Sequence, residues 1–147
     1  MEVVLVHPEI PQNAGNIART CAATGTRLLL VRPLGFNLSS RQLKRAGLDY
    51  WDTLDYVIVD DVDWDEVPCY FFSTHGKMSY DAATFDPNCR LVFGPESQGL
   101  SKELLARYPE RILRVPMLPG TRSLNLSNTV ALTLYEALRQ NRFTGLL

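Results

Sequence analysis

The chain of 147 residues is 46% hydrophobic and 21% charged, with a net charge of −1. That composition excludes a disordered chain and fits one globular domain over residues 1–147, since domains usually span roughly 100–200 residues. No apolar run approaches the ~18 residues of a membrane span. Cys21, Cys69 and Cys89 lack any C-x-x-C spacing, which argues against a disulfide scaffold or a structural zinc site and fits a reducing cytoplasm.

In chain order, Met1–Glu2 carries no basic n-region and leads directly into Val3–Val6, which reads as a strand and not as part of a signal peptide. Asn16–Thr24 predicts a short helix with Ile17, Cys21 and Thr24 on one side and Gly25 at its stop. Leu28–Val31 is a second strand, and Pro33 and Gly35 mark a loop. Arg41–Ala46 reads as a short basic helix ended by Gly47. Tyr56–Val59 is a third strand, Asp63–Val67 a turn or short helix, Tyr70–Phe72 a fourth strand, and Leu91–Phe93 a fifth that runs into Gly94-Pro95. Lys102–Arg107 is a helix with Ser101 as N-cap. Ile112–Val115 is a sixth strand stopped by Pro116. The last helix runs from Ser127 to Arg139, its Val130, Leu134 and Leu138 recurring every four residues. Strands separated by helices predict an α/β fold: a parallel sheet with helices on both faces. Ligands then sit outside the carboxyl ends of the strands. Three strand ends carry unusual loops, Ser73–Lys77, Gly94–Gly99 and Pro116–Asn125, which places the site in the C-terminal half.

Charge is segregated. Eight acids lie between Asp49 and Glu66 with no Lys or Arg among them, and removing those eight from the net of −1 leaves +7. The pattern allows a basic face for phosphate contacts, although charge alone favours the plainer reading of solvated surface residues.

Gly94-Pro-Glu-Ser-Gln-Gly99-Leu100-Ser101 imitates a phosphate-binding loop. However, Leu100 replaces its Lys, and Glu96 would repel phosphates. No G-x-G-x-x-G follows the first strand and no G-x-S-x-G is present. The two histidines, His7 and His75, lie in different loops. Three polar clusters remain. Asn13-Ala-Gly-Asn16-Ile-Ala-Arg19 offers amides and a close backbone approach at Gly15, or merely a helix cap. Gly94–Leu100 offers an acid, or merely a tight turn. Ser123-Leu-Asn125-Leu-Ser127-Asn128 offers hydroxyls and amides, or merely the N-cap of the last helix, for which one residue suffices.

Pro8–Arg19, Arg45-Ala-Gly-Leu-Asp-Tyr50, Phe93–Leu100 and Arg122–Asn128, in that order along almost the whole chain, resemble the SPOUT class of RNA methyltransferases. Within it they are most similar to the compact TrmL (YibK-type) tRNA 2′-O-methyltransferases. The resemblance implies an α/β-knot whose C-terminal segment forms a trefoil knot around an S-adenosylmethionine pocket. It also implies a homodimer with the site near the subunit interface. The implied reaction is methylation of the ribose 2′-hydroxyl of the wobble nucleotide, cytidine or uridine 34, in the tRNA anticodon stem-loop. A non-catalytic RNA-binding module of the same fold, or methylation of another RNA such as rRNA, is the alternative.

Carried over position by position, Asn13, Arg19, Glu96, Ser123 and Asn125 fall at the family's functional positions. Phe72, Gly94, Val115, Leu118, Ser123 and Asn128 are expected around the cofactor, with no metal. Arg19 is always protonated, so its expected part is binding a phosphate or stabilising the developing alkoxide rather than acting as a base. Glu96 is expected to favour the sulfonium charge or to orient its neighbours. His75 stands where the family pattern has Lys, and Lys77 is expected to take over that phosphate contact. With no separate RNA-binding domain, Arg41, Lys44 and Arg45 are the further candidates for holding RNA, and the acidic segment is expected to face away from it.

Overall fold

The computed structural model describes residues 1–38 and 50–147. Within them seven strands form one sheet: β1 Glu2–Val6, β2 Arg27–Val31, β3 Tyr56–Val59, β4 Cys69–Phe72, β5 Met78–Ser79, β6 Arg90–Phe93 and β7 Ile112–Arg114. The order is β3-β2-β1-β6-β4-β7-β5, and every neighbouring pair is parallel. The helices are α1 Pro11–Thr24, α2 Lys102–Arg107 and α3 Leu126–Gln140.

The central strands are apolar on both sides because both faces are covered. On one face Val3, Leu5, Leu28, Leu30, Leu91 and Phe93 pack against Ile17, Ala18 and Cys21 of α1 and against Val130, Leu134 and Ala137 of α3. On the other, Val4, Leu29, Phe71 and Val92 pack with Leu100 and Tyr108. Most of the differing boundaries move by one residue, and the start of the first helix moves furthest. Helix α1 begins at Pro11 rather than Asn16, because proline is suited to the first helical position and Asn13, Ala14 and Gly15 are buried. β7 ends at Arg114 rather than Val115. Two-residue β5, just past the loop Ser73–Lys77 and absent from the predicted strands, pairs Met78 with Leu113 and Ser79 with Arg114. The predicted basic helix Arg41–Ala46 lies outside the described residues. Gly25 ends α1 at φ 63°, where a side chain would be strained.

The three cysteines are free and buried. Burial pushes the Cys21 and Cys89 thiols up to about 12 and Cys69 up to about 11. Among the described residues no helix is long and apolar enough to cross a membrane.

On α3, Glu136 accepts hydrogen bonds from Arg139 Nε and Nη2 at 2.7 and 2.8 Å and from Gln140 Nε2 at 2.9 Å. The paired Arg139, then Gln140, hold its carboxyl down at about 2 against an ordinary 4.5. Because the folded value is the lower one, this contribution is present above pH 4.5 and disappears as pH falls toward 2. Solvent screens the pair, so the carboxyl contributes only about 1 kcal/mol. Glu136→Gln is expected to lose that amount in urea melts at pH 7 and to match the unaltered chain near pH 2. An equal deficit at both pH values would refute the assignment.

Candidate functional site

Strands β6, β4 and β7 are neighbours, so the loops leaving their carboxyl ends meet. They enclose a cavity of about 520 Å³ lined from Phe72–His75, Phe93–Leu100, Val115, Met117 and Ser123–Leu126, with Thr129 of α3. Ile10 and Asn13 close it from the start of α1. The site therefore draws on the N-terminal part of the chain as well as the C-terminal half. One wall is apolar: the Phe72 and Phe93 rings stack at 4.7 Å and 9°, beside Val115 and Met117. A flat aromatic ligand suits such a wall. The loop after β6 folds back on itself. Gly99, at φ 68°, donates its N–H to the Pro95 carbonyl at 2.8 Å. A Cβ on Gly94 would lie 2.3 Å from the carbonyl carbon of Gly99 and the nitrogen of Leu100.

One chain of hydrogen bonds ties the loops together. Glu96 Oε2 accepts from the Glu9 N–H at 2.8 Å, and Oε1 accepts from the Ile10 N–H at 3.2 Å and Asn13 Nδ2 at 3.0 Å. Ile10 is the N-cap of α1 and makes no side-chain cap bond. The Glu96 carboxylate thus supplies the anion that a helix N-terminus favours, from 86 residues away in the chain. In return Glu9 accepts from the Ser97 N–H and Oγ at 2.9 and 2.7 Å. Asn125 Nδ2 donates to Asn13 Oδ1 at 2.9 Å, and Asn125 Oδ1 caps α3 by accepting from the Ser127 N–H at 2.9 Å and its Oγ at 2.6 Å. Both Glu96 oxygens are engaged, so the geometry suits orientation of the loops and not proton transfer by Glu96.

Of the residues singled out in the sequence, Asn13, Glu96, Ser123, Asn125, Phe72, Gly94 and Val115 line this cavity together. Neither Asn13 nor Asn16 caps α1: Asn13 sits inside its first turn. Arg19, Leu118, Asn128 and Lys77 are not on the lining. Arg19 is exposed on α1, its guanidinium 5.3 Å from the Tyr50 ring centroid. Leu118 is 78% exposed and borders a second crevice. Asn128 is exposed, its N–H directed to Asn125 Oδ1 at 3.4 Å. Lys77 is exposed just before β5. Arg41, Lys44 and Arg45 lie outside the described residues. Reading the sequence missed Ile10, Thr74, Gln98 and Thr129 as lining residues. Thr74 and Gln98 lie inside loops it had marked, so the loop was legible and the inward-facing residue was not.

Four acids of the acidic segment, Asp55, Asp60, Asp65 and Glu66, are paired with arginines. Arg27 pairs with Asp55, Arg32 with Asp60, Arg90 with both Glu2 and Glu66, and Arg107 with Asp65. Most of these groups gather at the amino ends of the strands, opposite the cavity.

Residues 1–135 match the family model described as the SpoU rRNA Methylase family. A tRNA (cytidine(34)-2′-O)-methyltransferase of Methylovorus glucosotrophus (strain SIP3-4) is 46% identical, over 98% of this chain and 97% of that protein. A solved structure described as giving structural insights into the 2-OH methylation of C/U34 on tRNA superposes with a TM-score of 0.89. It is 48% identical, over 96% of this chain and 90% of its own. An AdoMet-bound rRNA methyltransferase from Sinorhizobium meliloti shares 27% identity with a TM-score of 0.83, over 94% of this chain and 55% of the longer one.

Proposed function

This chain belongs to the SpoU rRNA methylase family, and from that premise we propose that it methylates the ribose 2′-hydroxyl of nucleotide 34 in tRNA, using S-adenosylmethionine. The cavity at the meeting of the three loops carries this reading. Its volume, its stacked phenylalanine wall and the close approach that Gly94 permits suit a cofactor joining a flat base to an amino acid. Phe72, Gly94 and Val115 would hold it, with Ser123 at the polar side. Leu118 and Asn128 keep their expected place around the cofactor only at its margin.

When bound, S-adenosylmethionine supplies a methyl group on a sulfonium. In the transfer its C–S bond breaks, a C–O bond to the ribose forms, and the hydroxyl proton leaves to solvent. The protein's part is alignment, through loops held by Glu96, Asn13 and Asn125. Arg19 stabilises the negative charge developing on the 2′-oxygen. It lies six residues beyond Asn13 on the same helix, about 9 Å along and roughly 240° around it, so it points away from the cavity of its own chain. That placement supports a homodimer in which Arg19 serves the other copy. Exposed Ile10, Leu124, Leu132 and Tyr135 around α1 and α3 supply apolar surface for it. β7 enters the sheet between the earlier strands β4 and β5, and the chain then returns as α3 against α1, which supports a threaded, knotted C-terminus. In this reading residues 1–147 form one methyltransferase domain that acts in the cytoplasm without a metal. Lys77 contacts RNA phosphate, as do Arg41, Lys44 and Arg45.

Calorimetric titration with S-adenosylhomocysteine, followed by nucleoside mass spectrometry of tRNA incubated with protein and cofactor, tests the proposal. One saturable site per chain and a 2′-O-methylated nucleotide 34 are expected. A folded dimer that ignores millimolar ligand would instead be an RNA-binding module, and a methyl group on rRNA would reassign the substrate.

A further inference from the structure

We propose that a second crevice, beside the cavity, binds backbone phosphates of the RNA that presents the target ribose. This crevice, of about 390 Å³, lies between the end of β7 and the loop that follows it. Arg114 and Arg122 line it, together with the hydroxyl-bearing Thr74, Thr121 and Ser123, and no carboxylate borders it. Arg27, Arg32, Arg90, Arg107 and Arg139 all pair with carboxylates. Among the described residues Arg114 and Arg122 are exposed and form no ion pair.

Two guanidinium groups without carboxylate partners line one acid-free crevice, a setting that favours an anion. Guanidinium also matches phosphate oxygens in a fork of parallel hydrogen bonds. The crevice shares Thr74, Val115, Met117 and Ser123 with the cavity, so an anion there sits across a shared wall from the methyl donor's place. A phosphodiester neighbouring the target nucleotide satisfies both the chemistry and the position. That the phosphate belongs to RNA rests on the methyl-transfer reading. The other anion within reach is the cofactor's own carboxylate, which shares the chemistry and is separated by the test.

The experiment compares the unaltered chain with the Arg114→Ala/Arg122→Ala pair and the Arg114→Lys/Arg122→Lys pair. All are titrated with a tRNA anticodon stem-loop at several salt concentrations and, separately, with S-adenosylhomocysteine. Thermal melts check that each variant is folded. In the alanine pair RNA binding is expected to weaken ~10-fold or more. Its salt dependence should become shallower by roughly 0.7 in log–log slope for each single-strand phosphate that the protein no longer neutralises. S-adenosylhomocysteine affinity should stay unchanged, and the lysine pair should recover most of the RNA affinity. An unchanged RNA affinity and salt slope would overturn the proposal, as would RNA binding too weak to measure in the unaltered chain. A selective loss of S-adenosylhomocysteine affinity would assign the crevice to the cofactor carboxylate instead. If the unaltered chain binds RNA with the expected salt slope but transfers no methyl group, the methyl-transfer reading fails and the phosphate site stands.

Discussion

Arg19→Ala is expected to lower methyl transfer by about 10²–10³-fold, the usual cost of removing one donor aimed at a developing oxyanion. The fold and S-adenosylhomocysteine affinity should survive, because Arg19 is exposed on α1 and stands outside the cavity lining. Its partner is the Tyr50 ring, a cation–π interaction worth about 1 kcal/mol at an exposed site. Single-turnover kinetics with saturating cofactor separate the chemical step from binding. Turnover equal to that of the unaltered chain would remove Arg19 from the mechanism. Arg19→Lys keeps the charge but loses the planar fork, so partial activity is expected from it.

Gly94→Ala is expected to abolish cofactor binding, weakening S-adenosylhomocysteine affinity by at least ~100-fold, about 2.8 kcal/mol. The added Cβ would meet backbone atoms of Gly99 and Leu100 at 2.3 Å, and no side chain can swing aside to relieve that clash. The Gly94–Gly99 loop must open, and with it the carboxylate of Glu96 leaves the Glu9 and Ile10 amides. Overpacking of this kind costs about 1–3 kcal/mol, so the melting temperature should fall by several degrees as well. Wild-type affinity in a correctly folded Gly94→Ala protein would show that the loop does not shape the cofactor site. The two variants also test each other. If Arg19 serves the partner's cavity, co-expressed Arg19→Ala and Gly94→Ala chains form mixed dimers with one intact site, and activity should return. Persistent inactivity in demonstrably mixed dimers would place Arg19 with its own chain's cavity.

By itself the sequence determined six of the seven strands, the layer arrangement and the loops that carry most of the site. Val3–Val6, Leu28–Val31 and Leu91–Phe93 are apolar at consecutive positions because both faces of a central parallel strand are covered, and that demand is written locally. Gly25 and Ser101 are local as well: a left-handed residue ends α1, and a hydroxyl accepts from the Leu104 N–H at 3.2 Å to start α2. The polar loops after β4, β6 and β7 were visible as a site because ligands gather at strand carboxyl ends.

The tertiary structure alone decided how the residues of that site pair with one another. The sequence starts the first helix at Asn16, yet burial of Asn13, Ala14 and Gly15 carries α1 back to Pro11 and places Asn13 between Glu96 and Asn125. The partners of Glu96 are backbone amides 86 and 87 residues away and the Asn13 side chain, which no spacing or propensity encodes. Likewise, which arginines neutralise the acidic segment and which stay free depends on strand order. β2 beside β3 brings Arg27 to Asp55, whereas Arg114 and Arg122 form no ion pair among the described residues and line a crevice without a carboxylate. Periodicity records only whether a residue meets water or the core. Pairing between distant segments is set when the sheet closes, and the site of this protein is made of such pairs.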